Sequence, residues 1–307
     1  MKLQQLLLHE RITTYFLILA ISVIFFVVIV SRLPYASFRG DKISLSPLDI
    51  NMGQLDFAGE SVIVDQSSNP LGLEKLEQEL LINRFSLYQF LLYHKRSAQY
   101  FPYIESYLSE SEVPEDFKYL AVAESGLQYD ALSPAGARGI WQLMPETARQ
   151  YGLRVDKYID ERLNFERSTR VATKYLLDLK KKFGNWTLAA AGYNRGLSGL
   201  QRDMDAQPTA KNYYDLILNS ETGNYIYRVV AIKYLMQNRW QLFSPETLGD
   251  IFQVPNTTTL TLQGPIADLR VYCLAHDIDY QELRELNPWI LSYVLPDGPW
   301  DVKLLLK

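Results

Sequence analysis

Cysteine occurs once in the 307 residues, at Cys273, so no disulfide can form within the chain. A lone thiol says nothing of the redox compartment and is read as a small buried hydrophobe. Histidine occurs three times, at His9, His94 and His276, too scattered for zinc-ligand spacing or for a Ser/His/Asp set. No metal and no cofactor is expected. Basic clusters are missing as well, and the formal net charge is −4, which argues against the footprint of a nucleic-acid-binding protein. Long hydrophobic runs are absent but for one. Residues 12–31, ITTYFLILAISVIFFVVIVS, are uncharged and mostly apolar, which as a helix is long enough to cross a hydrocarbon core of roughly 30 Å.

That run is read as a transmembrane anchor within residues 1–36. A cleaved signal peptide is the rival reading, against which stand the length of the run and the poor small-x-small site at Pro34-Tyr35-Ala36. Lys2 and Arg11 on one side nearly balance Arg32, Arg39 and Lys42 on the other, so charge leaves the orientation open. Residues 37–70 carry Gly, Ser, Pro, Asn and Asp among short apolar patches and are expected to be a linker, with one short strand near Ser61-Val62-Ile63-Val64.

From Leu71 onward the apolar period is helical. A helix is expected over 71–95, with His94 at its end as a surface or capping residue, and a second, short one near Ala98 to Ser109. Pro114 suits the first residue of the next helix and Gly126 its left-handed stop. Between them Phe117, Leu120, Ala121 and Glu124 share one face. A carboxylate at the negative end of a helix, on an apolar stripe, has two reasons to hold its proton. The same position also suits a terminal glutamate that simply reaches solvent. After it come a loop of small residues, Ser133 to Gly139, and Gln142 between apolar neighbours, where a buried amide needs partners. Asn164 and Gly184 bracket a long helix, and Asn185 caps the next. A last helix follows Glu221, with Tyr225, Val229, Ile232 and Met236 on one stripe. Most of the 21 tyrosines are expected in the core and at its margin.

Three ordered motifs now stand out. Glu124-Ser125-Gly126, Ala131-Leu132-Ser133-Pro134-Ala135-Gly136-Ala137 and Gly139-Ile140-Trp141-Gln142-Leu143-Met144-Pro145 form the first; Ala190-Ala191-Gly192-Tyr193-Asn194-Arg195-Gly196 the second; Glu221-Thr222 with Tyr225 the third. Together they resemble the soluble-type (SLT) lytic transglycosylases, nearest to the family's membrane-bound D type, over roughly residues 85–240. The resemblance implies a mainly α chain with a lysozyme-like α-helical catalytic domain over 71–245. It implies peptidoglycan glycan strands as substrate and Glu124 as the catalytic acid and base, cleaving the bond between N-acetylmuramic acid and N-acetylglucosamine with a 1,6-anhydro product. Ser133, Gln142, Met144, Tyr193, Asn194, Glu221 and Tyr225 would line the sugar subsites or orient Glu124. A lysozyme-type hydrolase of the same fold, with Glu221 or Asp130 as second carboxylate, and a binding protein without catalysis are the alternatives. The inferred substrate places the catalytic part outside the cytoplasmic membrane, on the periplasmic or extracytoplasmic side.

Past Trp240 the pattern changes. TTTLTL alternates as a strand, two short helical runs follow, and VKLLL alternates again, giving a small β-α-α-β module over 253–307. It resembles a degenerate LysM, a peptidoglycan-binding module, although an appendage that only packs on the catalytic domain fits the same pattern.

Overall fold

The structure is a computed structural model and describes residues 55–64 and 69–306. The anchor expected at 12–31 lies outside them, and no helix among the described residues is long and apolar enough to cross a membrane.

Residues 55–64 fall in the expected linker, yet they fold. Strands β1 (Asp56–Phe57) and β2 (Glu60–Ser61) pair antiparallel around Ala58 and Gly59, both with positive φ, as a tight hairpin turn requires. Phe57 is fully buried, its ring edge-on to Phe117 with centroids 5.1 Å apart. The Glu60 carboxylate accepts from the backbone N–H groups of Trp186 and Thr187, at 2.6 and 2.8 Å. Described residues of this segment therefore contribute to the core and cap a helix, which a tether does not.

Helix α1 (Gly72–Phe85) breaks at Ser86, and α2 (Leu87–Glu110) then runs unbroken through Pro102. The break expected near residue 96 is thus ten residues too late. Apolar residues continue evenly from Phe85 to Leu91, so periodicity carried no mark of the ψ of 60° at which Ser86 leaves the helical region. His94 is corrected with it. It sits within α2 at 4% exposure, edge-on to Trp240, and burial depresses its pKa so that the ring is held neutral.

Helix α3 (Phe117–Ser125) starts three residues after Pro114, which instead opens a tight turn with Phe117 N–H on Pro114 C=O at 3.1 Å. It ends on Gly126 at φ +60, where a Cβ would lie 2.8 Å from the Tyr93 ring. Then follow α4 (Pro145–Gln150), α5 (Phe165–Phe183), α6 (Trp186–Arg195), α7 (Leu197–Asp205) and α8 (Ser220–Gln237). Asn164 caps α5 by accepting from Arg167 N–H, Asn185 caps α6 from Leu188 N–H, and Asn219 caps α8 from Thr222 N–H. Helix α8 packs on α1, α3 and α6, and α5 packs on α6. Ala189, Ala190 and Ala191 are fully buried there, since small side chains let helices approach closely.

The C-terminal module is β3 (Thr257–Gln263), α9 (Leu269–Ala275), α10 (Tyr280–Leu286) and β4 (Pro299–Leu305), with β3 and β4 antiparallel and Leu260 opposite Val302. Its core of Leu262, Cys273, Leu283, Trp289 and Trp300 is continuous with Ile159 and Leu163 of the helical part. Backbone bonds continue the junction, from Asp160 N–H to Trp289 C=O at 2.9 Å and from Leu291 N–H to Tyr158 C=O at 2.8 Å.

Candidate active site

The chemistry-bearing residues gather where α3 ends. Gly126 takes the left-handed conformation that stops the helix one turn after its apolar face, and this leaves Glu124 at the helix end. Helix α8 lies against α3 and delivers Tyr225, 1% exposed, whose hydroxyl donates to Glu124 Oε1. Glu124 keeps some surface open, but its carboxyl is enclosed by protein, and its pKa is raised from 4.5 to about 7. Burial is the main cause; the Tyr225 hydrogen bond works against it, the Glu221 charge adds to it and the Arg228 charge subtracts. At neutral pH the group is divided between acid and anion, the condition that suits a residue that must first give and then take a proton.

The loop beside Glu124 is held from below. Gly139 N–H donates to Ala131 C=O at 2.9 Å and Arg138 N–H to Leu143 C=O at 3.2 Å. Arg162, 6% exposed, reaches under the loop to Gly136 C=O at 2.7 Å and Leu143 C=O at 3.0 Å, and is itself fixed by the Asp160 carboxylate at 2.8 Å. Burial alone would raise the Asp160 pKa, but the bonds and charge of Arg162, with Arg138 beside it, hold it below the usual range. Gly139 has φ +80 and Arg162 C=O only 2.3 Å from where a Cβ would be, so no side chain fits.

The candidate site residues divide into those the fold joins to one another and those it holds separately. Tyr225 touches Glu124 directly. Tyr193, buried at the end of α6, donates to Trp141 C=O at 2.7 Å. Its pKa is driven well upward, by burial first and then by the Glu124 charge, so it stays a neutral donor. Asn194 and Glu221 form a second group: Asn194 Nδ2 donates to Glu221 Oε1 at 3.3 Å and Asn194 Oδ1 accepts from Thr222 Oγ1 at 2.9 Å. Gln142 has a positive φ of 46°, unusual for a residue with a side chain, and its amide NH₂ donates to Ala131 and Gly139 C=O at 3.1 and 2.9 Å. The partners a buried amide needs are thus supplied by the loop itself. Ser133 closes its own turn by accepting from Ala137 N–H at 3.0 Å, and Met144, 38% exposed, precedes α4; no hydrogen bond ties either to Glu124. Asp130 is exposed and accepts from Gln128 at 3.0 Å.

Sequence reasoning missed four supporting residues. Ser125 bonds Ile140 C=O at 2.8 Å and ties the end of α3 to the loop; its place next to Glu124 was the signal. Trp141, fully buried, anchors the loop on α5 through Nε1 to Thr169 at 2.9 Å. Glu79 and Arg228 pair at 3.3 Å between α1 and α8, and 149 residues of separation leave no local mark.

Fold and site together define a mainly helical domain built round an enclosed, protonatable carboxyl, followed by a small two-stranded module. Residues 102–216 match the family described as the transglycosylase SLT domain, and residues 258–298 the soluble lytic transglycosylase C-terminal LysM-like domain. The chain is thus similar to an SLT domain over the first of these stretches and to a LysM-like domain over the second. The membrane-bound lytic murein transglycosylase D of Escherichia coli is 29% identical over 170 residues, a match that takes in 54% of this chain but only 37% of that protein. Among solved structures, the lytic transglycosylase Slt of Pseudomonas aeruginosa is similar at a TM-score of 0.37 and 21% identity, over 46% of this chain and 24% of that one. The 70 kDa soluble lytic transglycosylase of Escherichia coli is similar at 0.36 and 24%, over 48% and 26%.

Proposed function

We propose that the protein is a lytic transglycosylase that cleaves the β-1,4 bond between N-acetylmuramic acid and N-acetylglucosamine in peptidoglycan. The observation that carries this is Glu124: an enclosed carboxyl in the SLT domain, its pKa lifted to about 7, bonded by a buried tyrosine. Protonated Glu124 gives its proton to the glycosidic oxygen as the bond from C1 breaks. The carboxylate left behind takes the proton of the muramoyl C6 hydroxyl, whose oxygen closes on C1. Glu124 is thereby reprotonated, no water is consumed, and a 1,6-anhydro end results. An internal nucleophile needs no second carboxylate and gains from proximity.

Tyr225 and Tyr193 are proposed to orient Glu124 and the sugar. Ser133, Gln142, Met144, Asn194 and Glu221 are proposed to line the subsites, Gln142 through its carbonyl oxygen because its NH₂ is already engaged. Residues 12–31 are proposed to anchor the chain in the cytoplasmic membrane with the catalytic part outside, a reading supported by the apolar run and by the membrane-bound name of the relative. The proposed division is a catalytic domain over 71–245 and a LysM-like module over 253–307.

Mass spectrometry of sacculi digested by the purified protein tests the reaction. Anhydro-muramoyl ends are expected, and Glu124→Gln should lower their yield by about 10² to 10⁴ in rate, the usual share of a general acid–base group. Reducing ends would instead make the protein a hydrolase, and no products would leave only a binding role.

A further inference from the structure

A cavity of about 710 Å³ opens where the helical part meets the C-terminal module. It is half open to the surface, and its volume falls in the range of small-ligand sites. Its walls are fixed. Backbone bonds between Asp160 and Trp289 and between Leu291 and Tyr158 join the two parts, the lining side chains of Lys303 and Glu166 pair between them, and Gln99 holds the connecting segment through Gln253 C=O at 2.7 Å. The opening is thus built into the junction and does not depend on a loose contact.

The walls also have a definite chemistry. Alternation along β3 and β4 turns Leu262 and Val302 into the module core and leaves Thr257, Thr259, Asp301 and Lys303 on the face that lines the cavity. The helical part contributes Tyr103 and Tyr129 to the same lining, residues 46% and 47% exposed although many other tyrosines are buried. Tyr103 and its neighbour Tyr100 rest edge-on against Phe165, at 6.1 and 5.0 Å between centroids, which fixes the direction they present. Charged lining residues balance: Arg167, Arg170 and Lys303 against Glu166, Glu285 and Asp301. A balanced wall has no net pull on a polyanion or a polycation. Flat amphipathic rings together with short hydroxyls and mixed polar groups suit a neutral, hydroxyl-rich ligand with apolar ring faces.

We propose that this cavity is a second carbohydrate site that holds a stretch of N-acetylated glycan on Tyr103 and Tyr129, away from the cleavage point. It rests on the reading that the substrate is peptidoglycan, and it assigns binding to the junction of the two parts, not to the LysM-like module by itself.

The test uses the full chain with Glu124→Gln, which prevents turnover, and a β-1,4-linked N-acetylglucosamine oligomer as the probe in calorimetric titration. Adding Tyr103→Ala with Tyr129→Ala should remove one class of binding site or weaken it roughly fivefold or more, the effect of truncating a well-placed aromatic anchor. On the wild-type background the same pair should leave turnover of short soluble chains unchanged. If the tyrosine variant fails to fold, Thr259→Trp on the exposed sheet face fills the cavity instead and should have the same effect on titration. Unaltered oligomer binding in a folded variant overturns the proposal, as does a loss seen only with peptide-bearing fragments, which would make the cavity a peptide site. Because binding is read with a pure oligomer, failure here is separable from failure to form anhydro ends on sacculi.

Discussion

Replacing Glu124 by glutamine should make the protein more stable above neutral pH while leaving its stability in acid almost unchanged. The folded pKa of Glu124 lies near 7 against 4.5 for the free side chain, because its carboxyl is enclosed by protein. A raised folded pKa means that the folded state binds the proton more tightly than the unfolded one. The associated stability is fully present below pH 4.5 and is lost as pH rises through about 7. Over that interval, at about 1.4 kcal/mol per pH unit, the loss is on the order of 3 kcal/mol. Glutamine keeps the shape and still accepts the Tyr225 hydroxyl, but it has no charge to desolvate and so escapes the loss. Thermal melts of both proteins from pH 4 to 8.5 should therefore coincide at the acid end and separate by about 6–12 °C at the alkaline end, for a cooperative unit of 150–250 residues. A separation that does not change with pH would refute the argument, since it would mean that Glu124 titrates alike in folded and unfolded chains.

Tyr225→Phe removes a donor that favours the Glu124 anion. A hydrogen bond to a charged group contributes about 1.5–3 kcal/mol, so the alkaline limb of kcat should move upward by about one to two pH units; a limb that stays in place would show that another group controls it. Asp160→Asn leaves buried Arg162 without its counter-charge and should cost about 3–5 kcal/mol at pH 7, measured by chemical denaturation. Because Asp160 titrates below the usual range when folded, its stabilising contribution is present above the unfolded pKa and lost as pH falls through the folded one. The variant should therefore close the gap to wild type in strong acid.

Local signals decided much of the architecture. Asn164, Asn185, Gly126 and Gly184 mark helix ends because capping depends on one side chain and the N–H groups just beyond it, or on one residue's freedom to take positive φ. The β-α-α-β order of the last 50 or so residues was legible for a similar reason, since a period of two and a period near 3.6 are properties of neighbouring residues. The position of Glu124 on the apolar stripe of α3 belongs to this class. What encloses it does not. Tyr225 lies 101 residues away in sequence, and the contact exists only because α8 packs against α3. The same holds for His94, which helix periodicity placed at a surface and which Trp240, from a segment far along the chain, covers. Phe57 read as part of a linker because two-residue strands are too short to show a period, and its partner Phe117 is 60 residues on. The cavity between the helical part and the module is the extreme case. Its walls come from α2, α5, β3 and β4, and their separation is set by the packing of Ile159 and Leu163 into the module core together with the bonds across the junction. The sequence by itself determined most of the helices and the order of the C-terminal module, with those helix ends that a cap or a glycine marks, through interactions a few residues long. Tertiary packing alone decided the acidity of Glu124 and the opening at the junction, because desolvation and enclosed volume depend on segments that meet only after the chain has folded.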